Sequence, residues 1–457
     1  MKITVLFTAG FLLCIYGFSQ NVGIGTANPA FKLDVRNGSI NTDSVYRIGG
    51  STILSVRNTS NLLIGHQVGL SATGTDNTFT GYQAGYSITT GSDNCFYGSG
   101  SGYFNSTAGS NSFFGTYSGY LNTGRFNSFF GTSAGMNNNI GIDNSFFGTQ
   151  AGYSNTIGLS NSFFGRSAGY TNTIGISNCF FGDNAGYSNI DGIRNSFFGQ
   201  NAGFSNTVGH RNTFSGYEAG LSNIGGDGNS FFGVEAGHSN TTGTSNSFFG
   251  LQAGSGNTTG RQNTAMGFFA NVGSSLTNAT AIGYLAIVTA SNKIRLGNTA
   301  VTVIEGPVAY SFPSDGRFKT NVTETVKGVD FIMKLRPVVY NFQARKMDEF
   351  ISGKTSSDAR FANLNYSEGE NIRQSGFIAQ EVEKAAKETG YDFNGVVAPK
   401  GDKETYSIAY SQFVVPLVKA VQEQQVMIEQ QNTIIEQQNK KIEMLLKEII
   451  LIKEKVR

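Results

Sequence analysis

The sequence predicts a mainly β protein: a β-solenoid of 17-residue repeats, then a small α+β domain and a C-terminal coiled coil. Three observations carry this. Asparagine recurs at nearly constant spacing through the middle of the chain, usually followed by Ser-Phe-Phe-Gly. The 457 residues include 60 glycines and 37 phenylalanines but no tryptophan, the mark of a biased, repetitive chain. Near the C-terminus, apolar residues recur at every seventh position.

The repeats open at Asn77, Asn94, Asn111, Asn127, Asn144, Asn161, Asn178, Asn195, Asn212, Asn229, Asn246 and Asn263, and one interval is 16. The best units read NSFFGxxAGxxNTxGxx, and a degraded copy over Asn61 to Asp76 marks an N-terminal edge. Ser-Phe-Phe-Gly is strand-like, and glycines at the corners reach positive φ cheaply. Helix is excluded by the glycine density. Short strands joined by glycine corners form a β-solenoid, in which no coil buries its apolar face without neighbours. Adjacent strand residues face opposite ways. One Phe row therefore fills the coil, and the other, either the row through Phe113, Phe129, Phe146, Phe163 and Phe197 or the row one residue later, lies outside. An exposed aromatic stripe of that length predicts packing against copies of the same chain.

Other residues test the register. Cys95 and Cys179 hold the second position of units five apart, roughly 24 Å at ~4.8 Å per coil, beyond disulfide reach, and read as small buried fillers. Glu218 and Glu235 hold one position in successive units and should stack at about 5 Å, a spacing that retaining glycosidases also use. With no further acids converging, a solvated ladder explains them better than catalysis. His210 and His238 hold different positions, so no shared metal site is expected, nor any cofactor.

The N-terminus, Met1-Lys2 followed by an apolar run to Phe18, reads as a signal peptide over residues 1–20, so the mature chain should be secreted or displayed at the cell surface. Cys14 follows Leu13 rather than a small residue, which argues against lipidation. Residues 21–60, with Asn21 to Pro29 and Lys32 to Val35, read as a short β cap before the array at 61–305. A net charge of +2 and only 14% charged residues speak against nucleic acid and anionic membrane surfaces as partners. No second apolar run has membrane length.

The heptad runs through Val414, Val421, Ile428, Ile435, Ile442, Ile449 and Val456. Leu417, Gln424, Gln431, Gln438, Leu445 and Ile452 fall between them. β-Branched residues at the first position without uniform leucine at the second favour three or more strands over two. A helix from Val414 would be roughly 65 Å long. Residues 413–457 are thus expected to be a trimeric coiled coil.

From Asn263 the repeats change. Asn278-Ala-Thr-Ala-Ile-Gly-Tyr-Leu-Ala286 and Asn292-Lys-Ile-Arg-Leu-Gly-Asn298 resemble the left-handed β-roll heads of trimeric autotransporter adhesins, and that resemblance implies a trimer. Residues 312–412 differ again, with Lys334-Leu-Arg-Pro-Val-Val-Tyr-Asn-Phe342 as a strand, Ser375 to Val382 entering a helix, and a polar loop over 345–372. SDGRFK, LRPVVYNF, GFIAQEV and YSIAYSQFVVPLVKAVQEQ, in that order, resemble the C-terminal intramolecular chaperone of phage endosialidases and tail spikes. The resemblance implies trimeric assembly of a β-solenoid fibre and self-release through a Ser-Lys dyad. Carried onto this chain, Ser314 is the nucleophile, Lys319 its base and Pro313–Ser314 the bond cut, with Asp315 orienting either group and Arg317 a cation that lowers the lysine pKa.

Residues five apart face opposite sides of a strand, so Asp315-Gly316 must turn the chain for the pair to meet. Pro313 departs from an ordinary cleavage position, because a tertiary amide precedes the cut. The resulting expectation is an exported, adhesin-like homotrimer with a self-cleaving chaperone and a host, surface or glycan ligand that the residues do not specify. The alternatives are a purely structural fibre whose chaperone does not cleave and, less favoured, a polysaccharide-active solenoid.

Overall fold

The computed structural model describes residues 22–24, 32–35, 45–58, 60–353, 361 and 364–456. The expected signal peptide and part of the expected N-terminal cap lie outside them. The chain forms two compact units, one up to Arg194 and one from Asn195 onward.

In the first unit, three-residue strands stack in parallel from Thr78–Thr80 through Cys95–Tyr97, Ser112–Phe114 and onward to Cys179–Phe181. Each residue faces its equivalent in the next coil, as in Ser145 to Ser162, Phe146 to Phe163 and Phe147 to Phe164. The stack starts on Asn61–Ile64, which pairs in parallel with Thr78–Thr80 on one side and antiparallel with Ser51–Arg57 on the other. Val45–Ile48 extends that antiparallel edge. The second unit repeats the parallel pattern from Ser196–Phe198 to Ile294–Leu296.

Identical register follows from what each strand buries. Positions alternate: Asn in, Ser out, first Phe in, second Phe out. Phe113, Phe129, Phe146 and Phe163 are fully buried, and so are Phe197, Phe214, Phe231 and Phe248 in the second unit. Their rings stack at 4.8 Å between Phe146 and Phe163 and again between Phe214 and Phe231. Removing one buried ring from such a row costs about 3–5 kcal/mol. The later Phe row is the outer one. Phe130, Phe147 and Phe164 stack on each other at 4.6 and 4.7 Å while half exposed, and Phe181, Phe198, Phe232 and Phe249 are exposed.

Two buried asparagine ladders hold the rest of the interior. The first uses the residue that opens each unit: the Asn161 side-chain oxygen accepts from the Asn178 backbone N–H at 3.0 Å, and its amide donates to the Gly175 carbonyl at 2.8 Å. The second lies eleven residues on, where Asn172 donates to the Asn155 oxygen and Asn189 to the Asn172 oxygen, both at 2.7 Å. The bond from Asn178 to Asn161 and the amide-to-amide bonds cross from one unit to the next, so a single coil cannot satisfy its own core. The corner after each strand admits only glycine. At Gly165 φ is +144°, and a Cβ would meet the Gly182 backbone.

From Asn263 the interior shrinks. Ala265 and Ala281 replace the inner Phe, and a second parallel pair, Asn271–Val272 with Ile287–Val288, supplies Val272 and Val288 to the core.

The small domain begins beyond an exposed stretch over residues 301–325. Its hairpin pairs Val338–Asn341 antiparallel with Arg373–Gly376, and helix Ala379–Glu388 buries Ala379, Val382, Ala385 and Ala386 on one face. Val382, Ala385 and Ala386 pack with Phe331 and Phe413. Helix Val414–Lys455 follows, 42 residues long. Its first turns belong to the domain: Pro416 and Ala420 are buried, and the Glu423 carboxylate accepts from the Val329 N–H at 2.8 Å, capping the short helix Val329–Ile332. Beyond Glu423 the helix is exposed on all sides, heptad residues included. Among the described residues, no helix is long and apolar enough to cross a membrane.

Two expectations need correction. Cys95 and Cys179 are half exposed rather than buried fillers, because the second position lies on the outward face of the strand; burial nevertheless raises both thiol pKa values. The stretch 345–372 is partly helical rather than a polar loop, with helices Ala344–Ser352 and Ser367–Asn371. The first buries Ala344, Asp348 and Ile351, a helical spacing hidden among polar residues.

The asparagine ladder has one fault. Asn105 is fully buried, yet neither its side-chain oxygen nor its amide nitrogen has a partner. The same position one coil earlier holds buried Ile88, where the ladder has not yet begun. Asn105→Ile should therefore stabilise the protein by about 1–2 kcal/mol, whereas Asn172→Ile should destabilise it by at least that much, since it removes the donor to the buried Asn155 oxygen and an acceptor of the buried Asn189 amide. Urea unfolding of the two variants beside the parent checks the opposite signs.

Candidate functional site

The segment expected to carry chemistry lies at the end of the exposed stretch. Asp315 caps a single 3₁₀ turn, Gly316–Phe318, its carboxylate accepting from the Arg317 N–H at 2.9 Å. Aspartate favours this position because its short side chain reaches the free N–H two residues on. The turn reverses the chain by enough to bring the pair together, and the Lys319 ammonium donates to the Ser314 hydroxyl oxygen at 2.7 Å. Gly316 has open space where a Cβ would stand and no positive φ, so the turn does not demand glycine.

The two supporting residues are placed differently from expectation. Asp315 bonds to neither Ser314 nor Lys319 but to Arg317, whose Nε and Nη2 donate to it at 3.0 and 2.6 Å. Those bonds hold the Asp315 carboxyl below the usual carboxylate range and raise the Arg317 guanidinium. Arg317 is accordingly matched by its own counter-charge and is a poor source of uncompensated positive potential for Lys319. Pro313, Ser314 and Lys319 are all exposed in the single chain.

The titratable solenoid residues do not converge on one site. Glu218 lies 3.6 Å from His238, and Glu235 accepts from Gln252 at 2.7 Å. The two glutamates thus have separate partners. Tyr217 hydrogen-bonds to Glu218, which raises its phenol pKa. Among the described residues, no group of three or more His, Cys, Asp or Glu side chains could hold a metal ion.

Fold and site together define a β-solenoid followed by a separate small domain that opens on a Ser-Lys contact. Residues 314–391 match the family model of peptidase S74, chaperone of endosialidase. The chain therefore carries a chaperone-of-endosialidase domain at 314–391, behind a β-solenoid of about 14 turns. Such a domain on a solenoid fibre implies an intramolecular chaperone. A search of curated proteins found no match.

The match begins at Ser314 itself, the first residue of the Ser-Lys contact. Sequence reasoning missed that Asp315 would be occupied by Arg317. The spacing i, i+2 in an Asp-x-Arg turn carries that signal, since an Asp at the cap faces the side chain two residues on. Arg317→Ala should raise the Asp315 carboxyl back toward the ordinary aspartate range. Because the folded pKa is depressed, the capped turn is favoured above the unfolded value and lost as pH falls through the folded one. Carboxyl-carbon NMR of Asp315 in both proteins measures the shift.

Proposed function

We propose that this chain is an exported homotrimeric fibre whose C-terminal domain assembles the solenoid and then releases it by cutting Pro313–Ser314. The observation that carries the reading is the 2.7 Å contact between Lys319 and Ser314 at the first residue of the matched domain. In the proposed reaction the Ser314 oxygen attacks the Pro313 carbonyl carbon, and its proton passes to the free amine of Lys319. The C–N bond breaks, the proton goes on to the departing Ser314 nitrogen, and water hydrolyses the resulting ester.

Lysine must be neutral to accept that proton, and both side chains are exposed in the single chain. Burial of the linker by neighbouring chains would favour the neutral amine. The exposed heptad residues Val421, Ile428, Ile435, Ile442 and Ile449 support three-chain association through the long helix. The exposed outer Phe row supports contact between solenoids. For a stack of near-identical coils, one-unit slips bury almost as much phenylalanine as the correct register. Joining the chains at one end raises their local concentration and sets their stagger first.

An exported surface location rests on the apolar N-terminal run, and an adhesin role on the resemblance of the last coils to adhesin heads. The non-cleaving structural fibre remains the second reading, favoured by Pro313 and by the exposure of the dyad. Intact-mass measurement of the purified wild type, Ser314→Ala and Lys319→Ala decides between them. The proposal expects a fragment from Ser314 to the C-terminus in wild type only, with a cleavage rate that rises with pH. An uncut wild-type trimer would establish the second reading.

A further inference from the structure

The two sides of the linker meet in a buried contact that the linker itself does not make. Arg295 belongs to Ile294–Leu296, the last rung of the parallel ladder. Its Nε donates to the Gly297 carbonyl at 3.1 Å, and its Nη2 lies 3.9 Å from the Asp348 carboxylate on helix Ala344–Ser352. Asp348 is only 4% exposed, and its other oxygen accepts from the Tyr366 hydroxyl at 3.0 Å. Burial raises the Tyr366 phenol, and Asp348 raises it further. Burial likewise lowers Arg295, while Asp348 opposes that shift.

Around this pair the contact is extended. Thr299 donates to the Ala344 carbonyl at 3.1 Å. Val272, Leu285 and Val288 of the last coils and Ile351 and Phe361 of the domain are all buried and line one shared cavity. A solenoid needs a cap where its ladder stops, or its last coil leaves apolar side chains and unpaired backbone open to water. Helix Ala344–Ser352 lies against one side of that end, while Ile294 and Leu296 of the last rung stay exposed.

Residues 301–325 are exposed throughout, and the proposed cut at 313–314 lies among them. Opening the linker there leaves Arg295 and Thr299 on one fragment and Ala344, Asp348 and Tyr366 on the other, with every contact still available. We propose that the last coil is a docking surface for helix Ala344–Ser352, and that the Arg295–Asp348–Tyr366 cluster holds the C-terminal fragment on the solenoid after the linker is opened. The domain is then both a chaperone and a retained end cap. The position of the cut comes from the proposed function; the docking does not depend on self-cleavage.

The test separates the two. In a full-length Ser314→Ala chain, a recognition sequence for a site-specific protease replaces part of the exposed linker between Val303 and Ala309. The cut protein is passed through size exclusion at physiological salt. The two fragments should co-elute, and Asp348→Asn, which keeps the shape but removes the charge, should weaken their association about a hundredfold. Circular dichroism of the uncut Asp348→Asn protein confirms folding, and Arg295→Met provides a second variant expected to release the fragment. Separation of the fragments in the parent, or co-elution just as tight in both variants, would overturn the inference. Failure of self-cleavage would appear instead in the intact mass of the chain that keeps Ser314.

Discussion

Each coil of the solenoid carries buried asparagine amides that only the next coil can satisfy. Asn127, Asn144 and Asn161 each accept, through a side-chain oxygen, from the backbone N–H one coil on, while Asn155, Asn172 and Asn189 bond amide to amide. An apolar side chain on a neighbouring coil would be tolerated at some cost; a missing neighbour leaves polar groups buried and unpaired, which costs far more per group. The phenylalanine row supplies bulk attraction, but it is nearly indifferent to a slip of one unit. The asparagines share that indifference, because every unit presents the same pair. Strong cohesion with weak register is the physical problem that the chain must solve.

The C-terminal architecture answers it. The last coils abandon phenylalanine for Ala265, Ala281, Val272 and Val288, so they match only each other and not the rest of the array. That unique end meets a folded domain through Arg295 and Asp348, and the domain is fastened to a long helix through Glu423 and Val329. On the proposed reading, register set by the helices passes through the domain to the first coil to form and propagates by nearest-neighbour stacking. Cleavage afterwards would sever the covalent link between the device that sets register and the array that keeps it, leaving a fibre protected by a kinetic barrier.

Much of this was legible in the residues. The asparagine spacing gave the coil length, and the glycines gave the corners. Which Phe row faces inward was not legible as long as the opening asparagine was read only as a marker. Once Asn161 is taken as buried, strand alternation forces Phe163 inward and Phe164 outward. Asparagine is ordinarily exposed, and that habit hid the signal. The same alternation explains why Cys95 and Cys179 are on the outer face. The Ser314–Lys319 meeting was legible because five residues around an Asp-Gly turn is a local problem. The Arg295–Asp348 contact was not, since it joins a strand of one architecture to a helix of another and leaves no periodic trace.

On the proposed function, the C-terminal domain is needed to build the solenoid but not to maintain it. Refolding from denaturant tests it most directly, with full-length Ser314→Ala beside a chain ending at Pro313, each followed by sedimentation velocity. The full-length chain should return to a soluble trimer while the truncated chain aggregates or stays unassembled. Equal recovery of soluble trimer from both would contradict it.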